Sequence, residues 1–135
     1  MKNRVLSCLS IAIAVLLGGC AATPQKLSPD LQSEFGKPLF CEGESECKLM
    51  WERATFFVTS NAAYKMQIHN DTVIQTYNPS ENSPGLAFSV TKEPLGEGRY
   101  QIWTKAWCAN VFGCHPNHIE AIARAKKYIR TGQKS

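Results

Sequence analysis

Two stretches of the chain repeat their hydrophobic residues at the three- and four-residue steps of an α-helix. The first covers residues 46–60, with Ser45 as a suitable N-cap and Asn61 as a suitable left-handed terminator. The second covers residues 117–130 and is followed by Gly132. The two apolar stripes consist of Cys47, Met50, Trp51, Ala54, Phe57 and Val58, and of Ala121, Ile122, Ala125, Tyr128 and Ile129. We therefore expect two amphipathic helices with these stripes in the core.

Four runs between the helices have the composition or the alternation of β-strands: residues 64–69, 72–77, 86–91 and 99–108. Asn70 and Asp71 suit a tight hairpin turn because both tolerate positive φ. Residues 78–85 contain two prolines and are expected to form an exposed, irregular loop. With no parallel crossover visible, the sheet should be antiparallel. The pattern predicts an α+β fold: a helix, a four-stranded antiparallel sheet and a helix, with both helices on one face of the sheet.

Residues 20–40 show neither the helical nor the strand pattern of hydrophobic residues. They contain Pro24, Pro29 and Pro38, which disfavour regular structure. We expect this segment to be a tether without helix or strand. Its apolar residues are candidates for docking onto the folded part; they are Leu31, Phe35, Leu39 and Phe40.

The first twenty residues carry the most specific pattern in the chain. A short basic segment with Lys2 and Arg4 precedes thirteen mostly apolar residues, 5–17. That run is shorter than the roughly 20 residues that a membrane-spanning helix needs, and it fits the apolar part of an export signal. The sequence Leu17-Gly18-Gly19-Cys20 follows. It resembles the lipobox of bacterial lipoproteins at all four positions; an ordinary signal peptide with a chance cysteine is the alternative.

The resemblance implies a division of the chain into a signal peptide (residues 1–19), a lipidated tether (20–40) and a small α+β domain (41–135). It implies cleavage before Cys20, a diacylglyceryl group on the Cys20 sulfur and an acyl chain on the new amine. Ala21, rather than aspartate, resembles the pattern of lipoproteins passed on to the outer membrane. Two or three acyl chains would give stable anchoring. The order of elements loosely resembles small helix-and-sheet domains in outer-membrane lipoproteins of envelope-assembly machines.

The composition limits the number of domains, the class of partner and the compartment. The 135 residues allow one domain. There are 15 Lys and Arg against 11 Asp and Glu, a formal charge of +4. Without Lys2 and Arg4 of the leader, 13 cations face 11 acids and the charge falls to +2. This is too weak a balance for nucleic-acid binding. Six cysteines in so short a chain indicate an oxidising compartment.

Four cysteines remain once Cys8 leaves with the leader and Cys20 carries lipid: Cys41, Cys47, Cys108 and Cys114. Local pairing is favoured, because each sequential pair encloses only five residues, and the loop-closure entropy of each ring contributes about 2.4 kcal/mol. Crossed pairings are the open alternative.

A zinc site built from Cys108, Cys114, His115 and His118 is the alternative use of the second pair. The two cysteines are spaced more widely than in zinc fingers, and oxidation would remove their thiolates. We therefore expect no metal and no cofactor beyond the lipid. None of the common hydrolase, zinc-protease or phosphate-binding motifs is present, and we predict that the protein is not an enzyme.

The last predicted strand suggests a binding surface. If Tyr100, Ile102, Thr104 and Ala106 face the helices, the candidate binding residues Trp103, Lys105 and Trp107 lie together on the open side. Exposed aromatic residues beside a cation mark recognition patches. The alternatives are that the tryptophans form the core, or that the tether covers them.

These observations favour a lipid-anchored protein of the outer membrane whose domain faces the periplasm. The expected function is a non-catalytic binding or accessory module for an envelope protein or cell-wall component. The alternatives are an inhibitor of a hydrolase that presents the loop 78–85, and an enzyme with a dispersed site. The basic residues Arg124, Lys126, Lys127 and Arg130 are expected to be a solvated helix face, with anionic lipid headgroups as the other candidate contact.

Overall fold

The structure, a computed structural model, describes residues 26–134 and has an α+β fold of three helices and a five-stranded antiparallel sheet. The predicted leader, the lipobox, Cys20 and Ala21 lie outside the described residues. The elements in chain order are α1 (Pro29–Gly36), β1 (Phe40–Glu42), α2 (Gly43–Asn61), β2 (Met66–His69), β3 (Val73–Thr76), β4 (Ala87–Gly96), β5 (Arg99–Trp107) and α3 (His118–Thr131).

The strand order in the sheet is β1-β5-β4-β3-β2. The four predicted strands are all present, but the expected total of four is wrong. The fifth strand, β1, pairs with β5, so that Phe40 lies opposite Gln101 and Cys41 opposite Tyr100. A strand of three residues is too short to show alternation in the sequence, and only its partner identifies it.

The expectation that residues 20–40 hold no helix is also wrong, because α1 lies within them. Pro29 stands in its first turn, where a missing N–H breaks no helical hydrogen bond. The Ser28 side chain accepts a hydrogen bond from the Leu31 N–H and caps the helix. Leu31 and Leu39 are buried, whereas Phe35 and Phe40 remain exposed. The folded part therefore begins near residue 29.

The ends of α2 differ from the prediction. Ser45 lies inside the helix, and the side chain of Glu46 accepts a hydrogen bond from the Glu42 N–H at its start. Asn61 is the last helical residue, and Ala62 follows in an extended conformation. Because the Asn61 amide donates to the Phe57 carbonyl, this side chain satisfies a backbone group without a left-handed turn.

The ends of α3 agree with the sequence pattern. Asn117 is the N-cap, and its side chain accepts hydrogen bonds from the N–H groups of Ile119 and Glu120. Gly132 ends the helix with φ of 74°, a left-handed conformation that glycine adopts without strain.

The turn between β2 and β3 forms by a different mechanism from the one expected. Neither Asn70 nor Asp71 has a positive φ. Instead, the Asn70 side-chain oxygen accepts hydrogen bonds from the N–H groups of Thr72 and Val73. The turn is therefore held by an asparagine side chain rather than by backbone handedness.

The core lies between the sheet and the two long helices. It joins the predicted stripes of α2 and α3 to alternate strand residues, which are Ile74, Phe88, Val90, Ile102 and Ala106. Phe57 of α2 packs edge-on against Phe88 and also against Tyr128 of α3. Arg53 donates hydrogen bonds to the carbonyls of Ile129 and Arg130 and ties the helices together. The opposite strand positions are left facing away from this core.

Candidate functional site

Both predicted disulfides form. Cys41 is bonded to Cys47 and Cys108 to Cys114, each across a sequence separation of 6. The first pair is buried, with 2% and 4% of the two residues exposed, whereas the second is half-buried at the margin of the core. Because the sulfurs of Cys108 and Cys114 are joined to each other, they do not form the thiolate pair that the zinc alternative requires.

The side of the sheet away from the helices is open; we call it the open face. It carries the β5 residues Gln101, Trp103, Lys105 and Trp107, and their β4 and β1 neighbours Ser89, Thr91, Glu93 and Phe40. The alternation within β5 is as predicted: Ile102 and Ala106 are buried. Trp103 is 47% exposed, Lys105 is exposed and Trp107 is half-buried. The structure therefore places these three side chains on one solvent-facing surface.

The Trp103 ring is held in position by a neighbour on β4. Its indole N–H donates a hydrogen bond of 2.7 Å to the Glu93 carboxylate. Strand geometry separates Trp103 from Lys105 by about 7 Å. The result is an aromatic ring in a fixed orientation beside an exposed cation.

No described part of the tether covers the open face. α1 packs against α3, on the helical side of the sheet. Phe40 lies on the open face itself, opposite Gln101, and half of it is exposed. The aromatic surface is therefore wider than the sequence suggested, because β1 adds Phe40 at its edge.

A second apolar surface was missed in the sequence. Residues 108–114, closed by the second disulfide, form a loop that we call the tip loop. At its apex Val111 is 84% exposed and Phe112 is 96% exposed. The sequence did contain a feature that predicts this exposure. Two large apolar residues lie among the five residues that the disulfide encloses, and a ring of that size is too small to bury them.

The tip loop is braced from within and from outside. Asn110 accepts hydrogen bonds from the Phe112 N–H, through its side chain, and from the Gly113 N–H, through its carbonyl. Three hydrogen bonds then join the segment 109–115 to the loop 78–85: Ala109 N–H to the Ser83 carbonyl, the Asn110 amide to the Asn82 carbonyl, and His115 N–H to the Pro84 carbonyl.

The loop 78–85 is irregular, as predicted. The Tyr64 hydroxyl donates a hydrogen bond of 2.6 Å to the Ser83 hydroxyl and accepts one from the Ser80 N–H. The loop therefore supports the tip loop in addition to being exposed.

The basic face of α3 binds α1 and is not the solvated face that was expected. Lys127 pairs with Asp30 at 2.7 Å, and Arg130 pairs with Glu34 at 3.3 Å. Lys126 donates to the Phe35 carbonyl, and burial lowers its pKa. Glu34 is buried and also accepts a hydrogen bond from Lys37. The hydrogen bond from Lys37, and to a lesser extent the charge of Arg130, hold the pKa of Glu34 below its usual value. These charges fix the direction of α1 along α3.

The histidines do not converge on a site. His69 lies within 3.2 Å of the Thr55 hydroxyl, while His115 and His118 are exposed near the tip loop. Between residues 26 and 134, no three His, Cys, Asp or Glu side chains are grouped so that they would hold a metal ion. In that same part of the chain, no helix has the length and apolar character needed to cross a membrane.

A shallow groove of about 230 Å³ lies between α2 and α3, lined by Phe56, Tyr128 and Lys134 among others. Phe56 is 51% exposed and packs against Tyr128 at 5.9 Å. The groove is below the usual size of ligand sites, roughly 300–1,000 Å³.

Comparison of the chain with protein-family models, with curated proteins and with solved structures found no match.

Proposed function

We propose that this chain is an outer-membrane lipoprotein whose folded domain acts in the periplasm as a non-catalytic binding module. Its partner would be an envelope protein or a cell-wall component. The open face, with Trp103 and Lys105 exposed side by side, is the observation that carries the binding role.

The proposed anchor rests on the sequence Leu17-Gly18-Gly19-Cys20, which resembles a lipobox. Lipid on Cys20 would hold the domain at the membrane, and the chain between Cys20 and α1 would be a short linker rather than the twenty-residue tether of the sequence prediction. Ala21 favours delivery to the outer membrane by the same resemblance.

The proposed compartment is supported by the cysteines. Two disulfides in a domain of this size are typical of proteins that fold in an oxidising environment such as the bacterial periplasm.

The binding role is supported by the form of the open face. The Trp103 ring is already oriented by Glu93, so that little side-chain freedom would be lost when a partner covers it. Tryptophan is also among the residues that contribute most to binding energy at interfaces. Lys105 would supply charge complementarity at the margin.

Crosslinking in intact cells tests this function. The full chain with an affinity tag would be crosslinked, purified and analysed for captured partners, beside a Trp103→Ala/Lys105→Glu variant. Loss of one large aromatic contact predicts that capture of a specific partner falls about tenfold or more.

Phe56→Ala is the matched control, because Phe56 is about as exposed as Trp103 but lies on the helical side of the molecule. It should leave the capture unchanged. An identical set of captured proteins in all three samples would contradict the proposal.

A further inference from the structure

The tip loop presents the two most exposed large hydrophobic residues of the described chain, Val111 and Phe112. The disulfide and the contacts with the loop 78–85 hold them outward. A rigid apolar pair of this kind loses little conformational entropy when it is buried in another phase. The domain's own core does not use these side chains.

The tip loop lies at the same end of the molecule as Lys26, the first described residue. α1 runs parallel to α3, because Asp30 pairs with Lys127 and Glu34 with Arg130. Leu27 and Ser28, which precede α1, line a common cavity with Asn117 and Glu120 at the start of α3. The segment that enters α1 therefore lies beside the beginning of α3.

Chain lengths bound the distances at this end. Asn117 follows Cys114 of the tip loop by three residues, which span at most about 11 Å. Lys26 follows Cys20 by six residues, which span at most about 22 Å. A lipid on Cys20 would thus be tethered to the same end of the domain as Val111 and Phe112.

We propose that Val111 and Phe112 insert into the interface of the membrane leaflet that holds the Cys20 lipid, and so dock the domain with the start of α3 against the bilayer. This inference rests on the lipid anchor of the proposed function. The exposed side chains of His115 and His118 would lie at headgroup depth beside the inserted pair.

The lipid on Cys20 would allow a contact as small as Val111 and Phe112 to hold the domain against the membrane. Two side chains bury too little area to recruit a free domain to a membrane, as a single acyl chain is itself only marginal. Once the domain is tethered within a few tens of ångströms of the surface, insertion becomes an intramolecular step with a high effective concentration. Burial of one phenylalanine then shifts the docked population by about tenfold or more.

Photocrosslinking tests the docking. The full chain, produced in a bacterium that processes lipoproteins, would carry Phe112→p-benzoylphenylalanine, or Phe56→p-benzoylphenylalanine as the control. Phe56 packs beside Tyr128 and lies by Lys134, towards the far end of α3, whose 14 residues span about 21 Å. After irradiation of intact cells, phospholipid adducts should be about tenfold more abundant at position 112.

The same samples separate the two proposals. The mass of the amino-terminal peptide reports whether Cys20 carries lipid, independently of any adduct at position 112. With Cys20 lipidated, equal lipid adducts at the two positions, or a protein as the main adduct at position 112, would overturn the docking alone. An unmodified Cys20 would overturn both the anchor and the docking.

Discussion

The two disulfide rings have the same size but lie in different surroundings. Both enclose five residues. In the first ring, which we call the core ring, Cys41 belongs to β1 and Cys47 to α2, and both are buried. The second ring closes the tip loop, and its apex residues Val111 and Phe112 are almost entirely exposed.

The difference shows that ring size does not determine what a disulfide does. The core ring joins an edge strand to the second turn of α2, so its sulfurs stabilise the packing of the domain. The tip loop joins the end of β5 to the segment before α3, and the closure holds apolar side chains away from the core. We therefore expect the core ring to govern stability and the tip loop to govern contact with the membrane.

Removal of each disulfide tests this division most strongly. Cys41→Ala/Cys47→Ala should lower the free energy of unfolding by about 3–4 kcal/mol, since the loss of loop-closure entropy is added to a loss of packing in the core. Cys108→Ala/Cys114→Ala should cost about 2 kcal/mol, close to the entropy alone. Urea unfolding of the purified domain measures both values, and equal losses would contradict the comparison.

The docking of α1, the helix that precedes the core ring, should weaken in acid, whereas the structure of the tip loop should not change. Hydrogen bonds and charge from Lys127 lower the pKa of Asp30, and those from Lys37 and Arg130 lower the pKa of Glu34. Because these folded-state pKa values lie below the unfolded ones, the ion pairs stabilise docked α1 at neutral pH. That contribution is lost as the pH falls below about 4.

Glu34→Gln tests the source of this response. The variant should lose about 1–2 kcal/mol at pH 7, where the buried carboxylate otherwise accepts from two cations, and much less at pH 3. Hydrogen-exchange protection of residues 29–36 at the two pH values is the measurement, with the amides of Phe112 and Gly113 as an internal reference. Equal protection of α1 in both proteins at pH 7 would show that the ion pairs do not hold it.

The smallest effect on stability is expected at the apex of the tip loop. Val111→Ser/Phe112→Ser should change the free energy of unfolding by less than about 0.5 kcal/mol, because neither side chain is packed. Phe88→Ala, at a fully buried position, should cost about 3–5 kcal/mol under the same conditions. A substantial loss from the double serine variant would mean that the tip loop contributes to the fold.

The long periodic elements were predictable from the sequence because burial on one side imposes a period. The apolar stripes of α2 and α3 and the alternation of β5 all express that constraint in residue types. The local pairing of the cysteines was also predictable, since short rings close at low entropic cost.

The short elements were not predictable, because their stabilising partners are far away in the chain. β1 has three residues and is fixed by β5, some sixty positions later. α1 is held by charges on α3, about a hundred positions later, and a proline that normally signals a break is harmless in its first turn. The exposure of Phe112 likewise depends on the brace from residues 78–85, which sequence spacing does not reveal.

The central claim, a lipid-anchored domain outside the cytoplasm, is tested most directly by the intact mass of the protein extracted from membranes. We predict a chain that begins at Cys20, carries a diacylglyceryl group and an acyl chain on that residue, and contains two closed disulfides. A chain that still begins at Met1, with six free thiols, would contradict the account.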